Sequence, residues 1–178
     1  MSIFTARISR LPVFASLSLL LLTTACATSS GAPSAASGLM ALNDPPARNG
    51  NYRWFLDHED DEVQLFYGLE QSDDIPLGLS CKRGTSRITI STPSEDRSMR
   101  SMTLTSGGRM ASYPARAQAA TVFDGYDIVA QTTPSDPVMQ AFGVNGWLAM
   151  AGADGWVGLV GDRTSGASAS RFMADCKR

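Results

Sequence analysis

Short runs of alternating apolar and polar residues fill the chain from residue 52 onward, and glycine, proline or charged turns separate them. A period of two is typical of strands that bury one face. The clearest inward-facing sets are Val63, Leu65 and Tyr67, then Leu77, Leu79 and Cys81, and then Ile88 and Ile90 after a hairpin connection at 83–86. We therefore expect a succession of short antiparallel strands.

Three stretches interrupt this alternation. The acidic run 57–62 is too charged for a strand interior, so it predicts a turn between a first strand at 52–56 and the second strand. The polar stretch 93–100 predicts a loop. Alanines dominate 114–121, where either coil or a short helix would fit.

Two segments carry helical signals. Asp136 followed by Pro137 is the pattern of an N-cap and a first helical position, so a helical turn or two should cover 138–143. Near the C-terminus, apolar residues recur at helical spacing and would form one buried face. These residues are Ala169, Phe172, Met173 and Cys176.

Together the elements predict a mainly β fold. We expect an antiparallel β-sandwich or a small open barrel of about eight strands, with two short helices. The stretch 51–178 has the length of one domain and shows neither an internal repeat nor a second linker, so a single globular domain is expected.

The N-terminus has the layout of an exported protein. Arg7 and Arg10 precede an apolar run that ends at a small-residue site. That run is roughly a dozen residues long, short of the ~20 that a helix needs to cross a bilayer. We therefore interpret residues 1–25 as a signal peptide.

The end of this leader, Leu22-Thr-Thr-Ala-Cys26, resembles the lipobox of bacterial lipoproteins, with Thr23 standing where leucine is favoured. The resemblance implies cleavage before Cys26 and acylation of that cysteine, for example with palmitate. Since Ala27 rather than aspartate follows, it also implies attachment to the outer membrane. We expect the domain to lie on the periplasmic side. An ordinary secreted protein with an incidental Cys26 is the alternative.

Residues 26–50 are rich in Ser, Gly, Ala and Pro, which is typical of a flexible linker. Apolar residues other than alanine occur there at Leu39, Met40 and Leu42. A short docking turn at 39–42 is the alternative interpretation.

Outside the leader and linker, the cysteines are Cys81 and Cys176, and both fall on inward faces of predicted elements. An even number of cysteines in an oxidising compartment predicts a disulfide. It would link the C-terminal helix to an early strand. A redox or metal site is the alternative, but neither cysteine belongs to a Cys-x-x-Cys pair or has a nearby histidine.

Charge excludes several classes of protein. The formal charge is −2, and removal of a leader with two arginines and no acids would change it to −4. Lys82 and Lys177 are the only lysines. Because phosphate neutralisation needs many cations, nucleic acid is not an expected partner, and lysine-based covalent chemistry is not expected either.

Candidate catalytic chemistry is sparse. The single histidine, His58, lies in the acidic run, and no nucleophile motif accompanies it. Carboxylates of 57–62, Asp73 and Asp74 could offer oxygen ligands to calcium, but the spacing of an EF-hand loop is missing. We expect no catalytic residue, no metal and no cofactor.

Arginine and tryptophan supply the candidate binding residues. Arginine forks suit carboxylates and phosphates, and basic residues crowd one hairpin and nearby loops. The basic candidates are Lys82, Arg83, Arg87, Arg97, Arg100 and Arg109. Trp147 and Trp156 flank a predicted hairpin and could line a groove, with core packing as the alternative.

These observations favour a non-catalytic, lipid-anchored binding or accessory protein of the cell envelope. Loops of a rigid β-domain would contact another envelope protein or an anionic glycan. An envelope hydrolase is one alternative, and it requires the acids of 57–62 to converge with Asp73 and Asp74 in a cleft. A carrier of an apolar ligand is the other, and it requires a cavity behind Trp147 and Trp156.

Overall fold

A computed structural model describes residues 39–177. Nine strands form one antiparallel sheet, and two helices pack against it. In chain order the elements are β1 Arg53–Glu59, β2 Glu62–Gly68, β3 Leu77–Lys82, β4 Ile88–Ser94, β5 Ser101–Ser106, β6 Arg109–Ala119, β7 Tyr126–Thr132, α1 Pro137–Asn145, β8 Trp147–Gly152, β9 Gly155–Val160 and α2 Ser165–Lys177. The predicted mainly β fold with two short helices is confirmed.

The sheet follows the order β1-β2-β3-β4-β7-β6-β5-β8-β9 and is nearly closed into a barrel. The chain leaves a simple meander after β4, because β7 and not β5 pairs with that strand. This pairing runs along all of β4, from Ile88 opposite Thr132 to Ser94 opposite Tyr126. The hairpin of β5 and β6 is consequently inserted between β7 and β8.

Side chains of β1, β2 and α2 form hydrogen bonds across the opening between the two edge strands, β1 and β9. The Trp54 indole donates a hydrogen bond to the Leu159 carbonyl at 3.0 Å, and the Tyr67 hydroxyl donates to the Val160 carbonyl at 3.3 Å. Ser165, the first residue of α2, accepts a hydrogen bond from the Trp54 backbone N–H at 3.4 Å. Since side-chain hydrogen bonds, and not a ladder between β1 and β9, span this line among the described strands, the barrel stays open there.

The concave inner face of the sheet holds the core. The predicted inward-facing residues of β2, β3 and β4 are all buried, as are the four predicted on α2. Aromatic rings occupy the centre: the Trp54 ring lies 4.7 Å from that of Phe142 on α1 and 5.2 Å from that of Tyr67. Large apolar side chains from both edges and both helices therefore meet in one cluster.

Helix α1 begins where the sequence predicts it. The Asp136 carboxylate accepts hydrogen bonds from the backbone N–H groups of Val138 and Met139, at 2.8 and 3.3 Å. The helix ends at Gly146, whose φ of 71° is the left-handed conformation that glycine adopts most easily.

The predicted disulfide between Cys81 and Cys176 is confirmed, with a Cα–Cα distance of 5.7 Å. Cys81 lies on β3 and Cys176 in the last turn of α2. The bond therefore holds the C-terminal helix against the inner face of the sheet.

Two predicted connections were wrong because the strands continue into them. Within the acidic run, β1 extends to Glu59 and β2 begins at Glu62, which leaves a two-residue turn at 60–61. These charged side chains are exposed at the end of a hairpin, where water hydrates them, so their charge does not prevent strand pairing. The alanine-rich stretch is the second half of β6, and pairing of Ala115–Ala119 with β7 outweighs the weak strand preference of alanine.

Residues 39–47 contact the convex outer face of the sheet. The backbone N–H of Leu42 donates to Thr105 Oγ1 at 3.1 Å, and its carbonyl accepts from the Gly108 N–H at 2.7 Å. The Trp156 indole donates to the Met40 carbonyl at 3.0 Å. For 39–42, then, the structure shows the docking segment that was the alternative to a flexible linker; residues 26–38 lie outside the described residues.

Within residues 39–177, neither helix is long and apolar enough to cross a membrane.

Candidate functional site

The basic residues singled out in the sequence lie at two ends of the sheet. Lys82 and Arg87 stand before β4, whereas Arg97 and Arg100 follow it. Six residue steps along β4 separate the two groups by roughly 20 Å, at ~3.3 Å per residue. Arg83 is exposed at the tip of the β3–β4 hairpin, and Arg109 opens β6 at the end remote from Arg97 and Arg100.

The group before β4 is balanced by acids. Lys82 Nζ lies 3.5 Å from Asp61 Oδ2, and both side chains are exposed. Lys82 and Arg87 line a shallow cavity of about 500 Å³ together with Glu62. Exposed ion pairs contribute ~1 kcal/mol at most, but they lower the local positive potential. This end of the sheet is therefore a weak candidate for binding anions.

Arg97 and Arg100 lie in a second cavity, of about 550 Å³, where Arg116 joins them. We call this cavity the arginine pocket. The rest of its lining comes from β6 and the first residue of β7, namely Ala115, Ala117, Ala119 and Tyr126. Arg116 was missing from the predicted candidates because its stretch was not recognised as a strand that passes the loop 95–100.

A free strand edge forms one wall of the arginine pocket. The Ala115 N–H donates to the Arg100 carbonyl at 2.8 Å, and beyond this point β6 pairs with β7 alone. Backbone groups in an antiparallel ladder alternate between the two sides of a strand. The N–H groups of Ala117 and Ala119 therefore point toward the same open edge as that of Ala115.

The guanidinium groups of the arginine pocket form no ion pair among residues 39–177, where the ion pairs join other residues. Arg100 Nη1 donates to the carbonyls of Arg97 and Met99, at 2.6 and 3.2 Å. The nearby Asp96 carboxylate instead accepts two hydrogen bonds from Ser98, both at 2.7 Å. These bonds are the main reason that the Asp96 pKa is lowered, and the charge of Arg100 lowers it further. The pocket still keeps a net positive charge, because one nearby carboxylate faces three guanidinium groups.

The two tryptophans do not form a shared groove. Trp147 lies opposite Val160 and is 5 % exposed, whereas Trp156 lies opposite Ala151 and bonds to Met40. Trp147 is thus buried by packing, Trp156 is half-buried against the segment that holds Met40, and neither lines the cavity at Lys82 or the arginine pocket.

The acidic groups singled out in the sequence lie apart. Asp61 adjoins the first residue of β2, whereas Asp74 packs against Gly68 at its other end, roughly 20 Å away. The structure does not bring these carboxylates into one cleft, so it offers no support for a hydrolase built from them. His58 Nε2 lies 3.4 Å from Asp175 Oδ2 on the surface. Among residues 39–177, no group of three or more His, Cys, Asp or Glu could hold a metal ion.

A further cavity, which the sequence did not predict, lies on the outer face. This outer groove runs between the β2–β3 loop and the β6–β7 loop and has a volume of about 380 Å³. Its main lining residues are Phe66, Ile75, Val122, Phe123, Asp73 and Asp127. Two signals could have revealed it: Phe66 occupies a position of β2 that should face solvent, and Val122-Phe123 is an apolar pair in a loop.

Comparison with models of known protein families, with curated proteins and with solved structures finds no match to this chain.

Proposed function

We propose that this protein is a lipid-anchored binding protein of the bacterial cell envelope, which holds an anionic glycan at the arginine pocket without a chemical step. The observation that carries this proposal is the convergence of Arg97, Arg100 and Arg116, none of which forms an ion pair in the described chain. Acylated Cys26 would attach the protein to the outer membrane, with the domain in the periplasm. Support for the anchor comes from the lipobox resemblance.

The chemistry of the pocket suits a carboxylated or phosphorylated sugar. Guanidinium groups donate paired hydrogen bonds to such anions. Small alanine side chains leave the backbone edge of β6 accessible, so the N–H groups of Ala117 and Ala119 can donate to ligand oxygens. The half-buried Tyr126 adds a hydroxyl for a sugar hydroxyl group.

Glycan binding can be tested with polygalacturonate, and with neutral dextran as the uncharged control. The pocket variant carries Arg97→Gln, Arg100→Gln and Arg116→Gln. A matched variant carries Arg83→Gln, Arg87→Gln and Arg109→Gln, which change the net charge equally. Charged hydrogen bonds contribute ~1.5–3 kcal/mol when well formed and less when exposed, so we expect the pocket variant to bind about 10- to 100-fold more weakly.

Calorimetry on the full chain should show near-normal affinity in the matched variant and no binding of dextran. An equal loss in both variants would mean that net charge alone attracts the glycan. Absence of binding to polygalacturonate by the unaltered chain would contradict the proposal directly.

The anchor needs its own experiment. Cells fed radiolabelled palmitate should label the unaltered chain, and Cys26→Ser should abolish the label and release the protein from the membrane fraction. Two or three acyl chains give stable attachment, whereas one chain holds only marginally. An unlabelled chain that already fractionates as a soluble protein would remove the anchor from the proposal.

A further inference from the structure

We infer that the outer groove is a second binding site, which takes a small apolar molecule carrying a positively charged amine. This inference does not depend on the proposed glycan site, because the two cavities share no lining residue.

The floor of the outer groove is low because Gly78 lies in β3 on the outer face. A Cβ at this position would lie 2.9 Å from Ser91 Oγ and 3.5 Å from the Phe66 ring. Glycine therefore leaves the Phe66 ring and the Ser91 side chain accessible from above, which gives the groove depth on an otherwise continuous sheet.

Apolar side chains form the walls. Val122 is 89 % exposed and Phe123 is 39 % exposed, and both belong to the β6–β7 loop. The Phe123 ring lies over Gly125, where a Cβ would approach Phe123 Cε2 to 2.6 Å, so this glycine sets how closely the ring approaches the loop backbone. Ile75 faces them from the β2–β3 loop. A ligand that covers these exposed apolar groups removes them from water, which favours binding.

The polar part of the groove selects the charge of the ligand. Asp73 and Asp127 line it, and neither carboxylate belongs to an ion pair among residues 39–177. Lysine and arginine are both missing from its lining. A bound amine would therefore gain a charge-assisted hydrogen bond, whereas a bound anion would meet two negative charges.

The volume of about 380 Å³ lies at the lower end of the range typical of small-molecule sites. It accommodates one aromatic ring or a short alkyl chain next to an ammonium group. The pairing of an apolar cavity with two unneutralised carboxylates thus identifies the ligand class as a small amphiphilic amine.

Three probes of nearly equal shape can test this inference: 2-phenylethylammonium, neutral 2-phenylethanol and anionic 3-phenylpropionate. The full chain is held in zwitterionic lipid nanodiscs, and methyl labels on Ile75 and Val122 report occupancy by nuclear magnetic resonance, with the buried Ile90 as an internal reference. We expect saturable shifts at Ile75 and Val122 with the ammonium probe, and affinity at least 10-fold weaker for the other two.

Asp73→Asn with Asp127→Asn should remove the preference for the ammonium probe while the Ile90 signal stays unchanged. The matched control is Asp60→Asn with Asp154→Asn, which changes the net charge equally at two exposed acids in the β1–β2 and β8–β9 turns, and it should bind normally. Phe123→Ala should weaken all three probes together. Equal affinity for the three probes, no saturable shift with any of them, or an unchanged preference in the double variant would each overturn the inference.

Discussion

The inner and outer faces of the sheet differ in how completely their side chains are packed or paired with other residues. On the inner face, side chains of the strands and both helices bury one another, and a disulfide holds the last helix in place. Open recesses lie on the outer face, as the apolar outer groove, and at the free edge of β6, as the arginine pocket; the carboxylates and arginines that line them form no ion pair among the described residues. Stability should therefore depend on the inner face, and binding on these recesses.

The sharpest test of this division is Trp54→Ala. Trp54 is 1 % exposed, contacts two aromatic rings and donates to the Leu159 carbonyl across the barrel opening. Loss of a buried aromatic ring typically costs ~3–5 kcal/mol, and a buried carbonyl would lose its donor as well. Urea denaturation should show a loss of this size, whereas Trp156→Ala, on the outer face, should cost much less. Similar losses would contradict the division.

The disulfide gives the next largest effect. Removal of a native disulfide from a small exported domain typically costs ~2–5 kcal/mol. Because one bond is broken either way and both cysteines are buried, Cys81→Ser and Cys176→Ser should lower the Tm by similar amounts. Thermal denaturation of the two variants measures this, and thiol titration of the unaltered chain should find no reactive group at either position. A wide difference in Tm would mean that one site suffers a further packing defect.

The inner face was largely predictable because its signal is local. A period of two identifies Val63, Leu65 and Tyr67 as buried from neighbouring residues alone, and helical spacing does the same for Phe172 and Cys176. The facing of both cysteines toward the core then follows, and with it the disulfide.

The two recesses depend on strand pairing that one sequence does not disclose. Arg116 lies beside the loop that holds Arg97 and Arg100 because the register of the β5–β6 hairpin puts Ala115 against Arg100. Pairing of β7 with β4 places Phe123 over a groove whose floor comes from β2 and β3. The outer groove therefore combines residues far apart in the chain, whereas the arginine pocket was missed because the alanines of β6 weakened the local signal for its strand.

A smaller effect should appear at alkaline pH. Burial, and then the hydrogen bond of 2.8 Å to Asp136, raise the pKa of the Tyr113 hydroxyl well above its ordinary value of 10.0. The unfolded chain releases this proton above pH 10 while the folded chain retains it, so stability is lost as the pH rises above 10. Tyr113→Phe should lower stability by ~0.5–1.5 kcal/mol at pH 8 and reduce the further loss at pH 11.

Urea denaturation of the unaltered chain and of Tyr113→Phe, at pH 8 and at pH 11, measures the loss of unfolding free energy in each protein. The pKa of Tyr67 is also raised, first by burial, but that residue is present in both proteins, so the comparison isolates Tyr113. An identical alkaline loss in the Phe variant would show that Tyr113 ionises in the folded state as easily as in the unfolded state.

The smallest effect concerns the segment 39–47, which decides whether the outer face contributes to the fold. A Cβ at Gly158 would lie 2.7 Å from Pro46 Cγ, so Gly158→Ala should displace the segment while the inner face stays packed. The Leu42 amide would lose its bond to Thr105 Oγ1, and the Gly108 amide its bond to the Leu42 carbonyl, so both amide hydrogens should exchange faster with solvent. The free energy of unfolding should change by less than about 1 kcal/mol.

Gly166→Ala, where a Cβ would meet nothing within 4 Å, is the matched control and should leave this exchange unchanged. A loss of several kcal/mol in Gly158→Ala would instead make the docked segment part of the cooperative fold. The flexible linker expected from the sequence would then end before residue 39, and the outer face would share in stability after all.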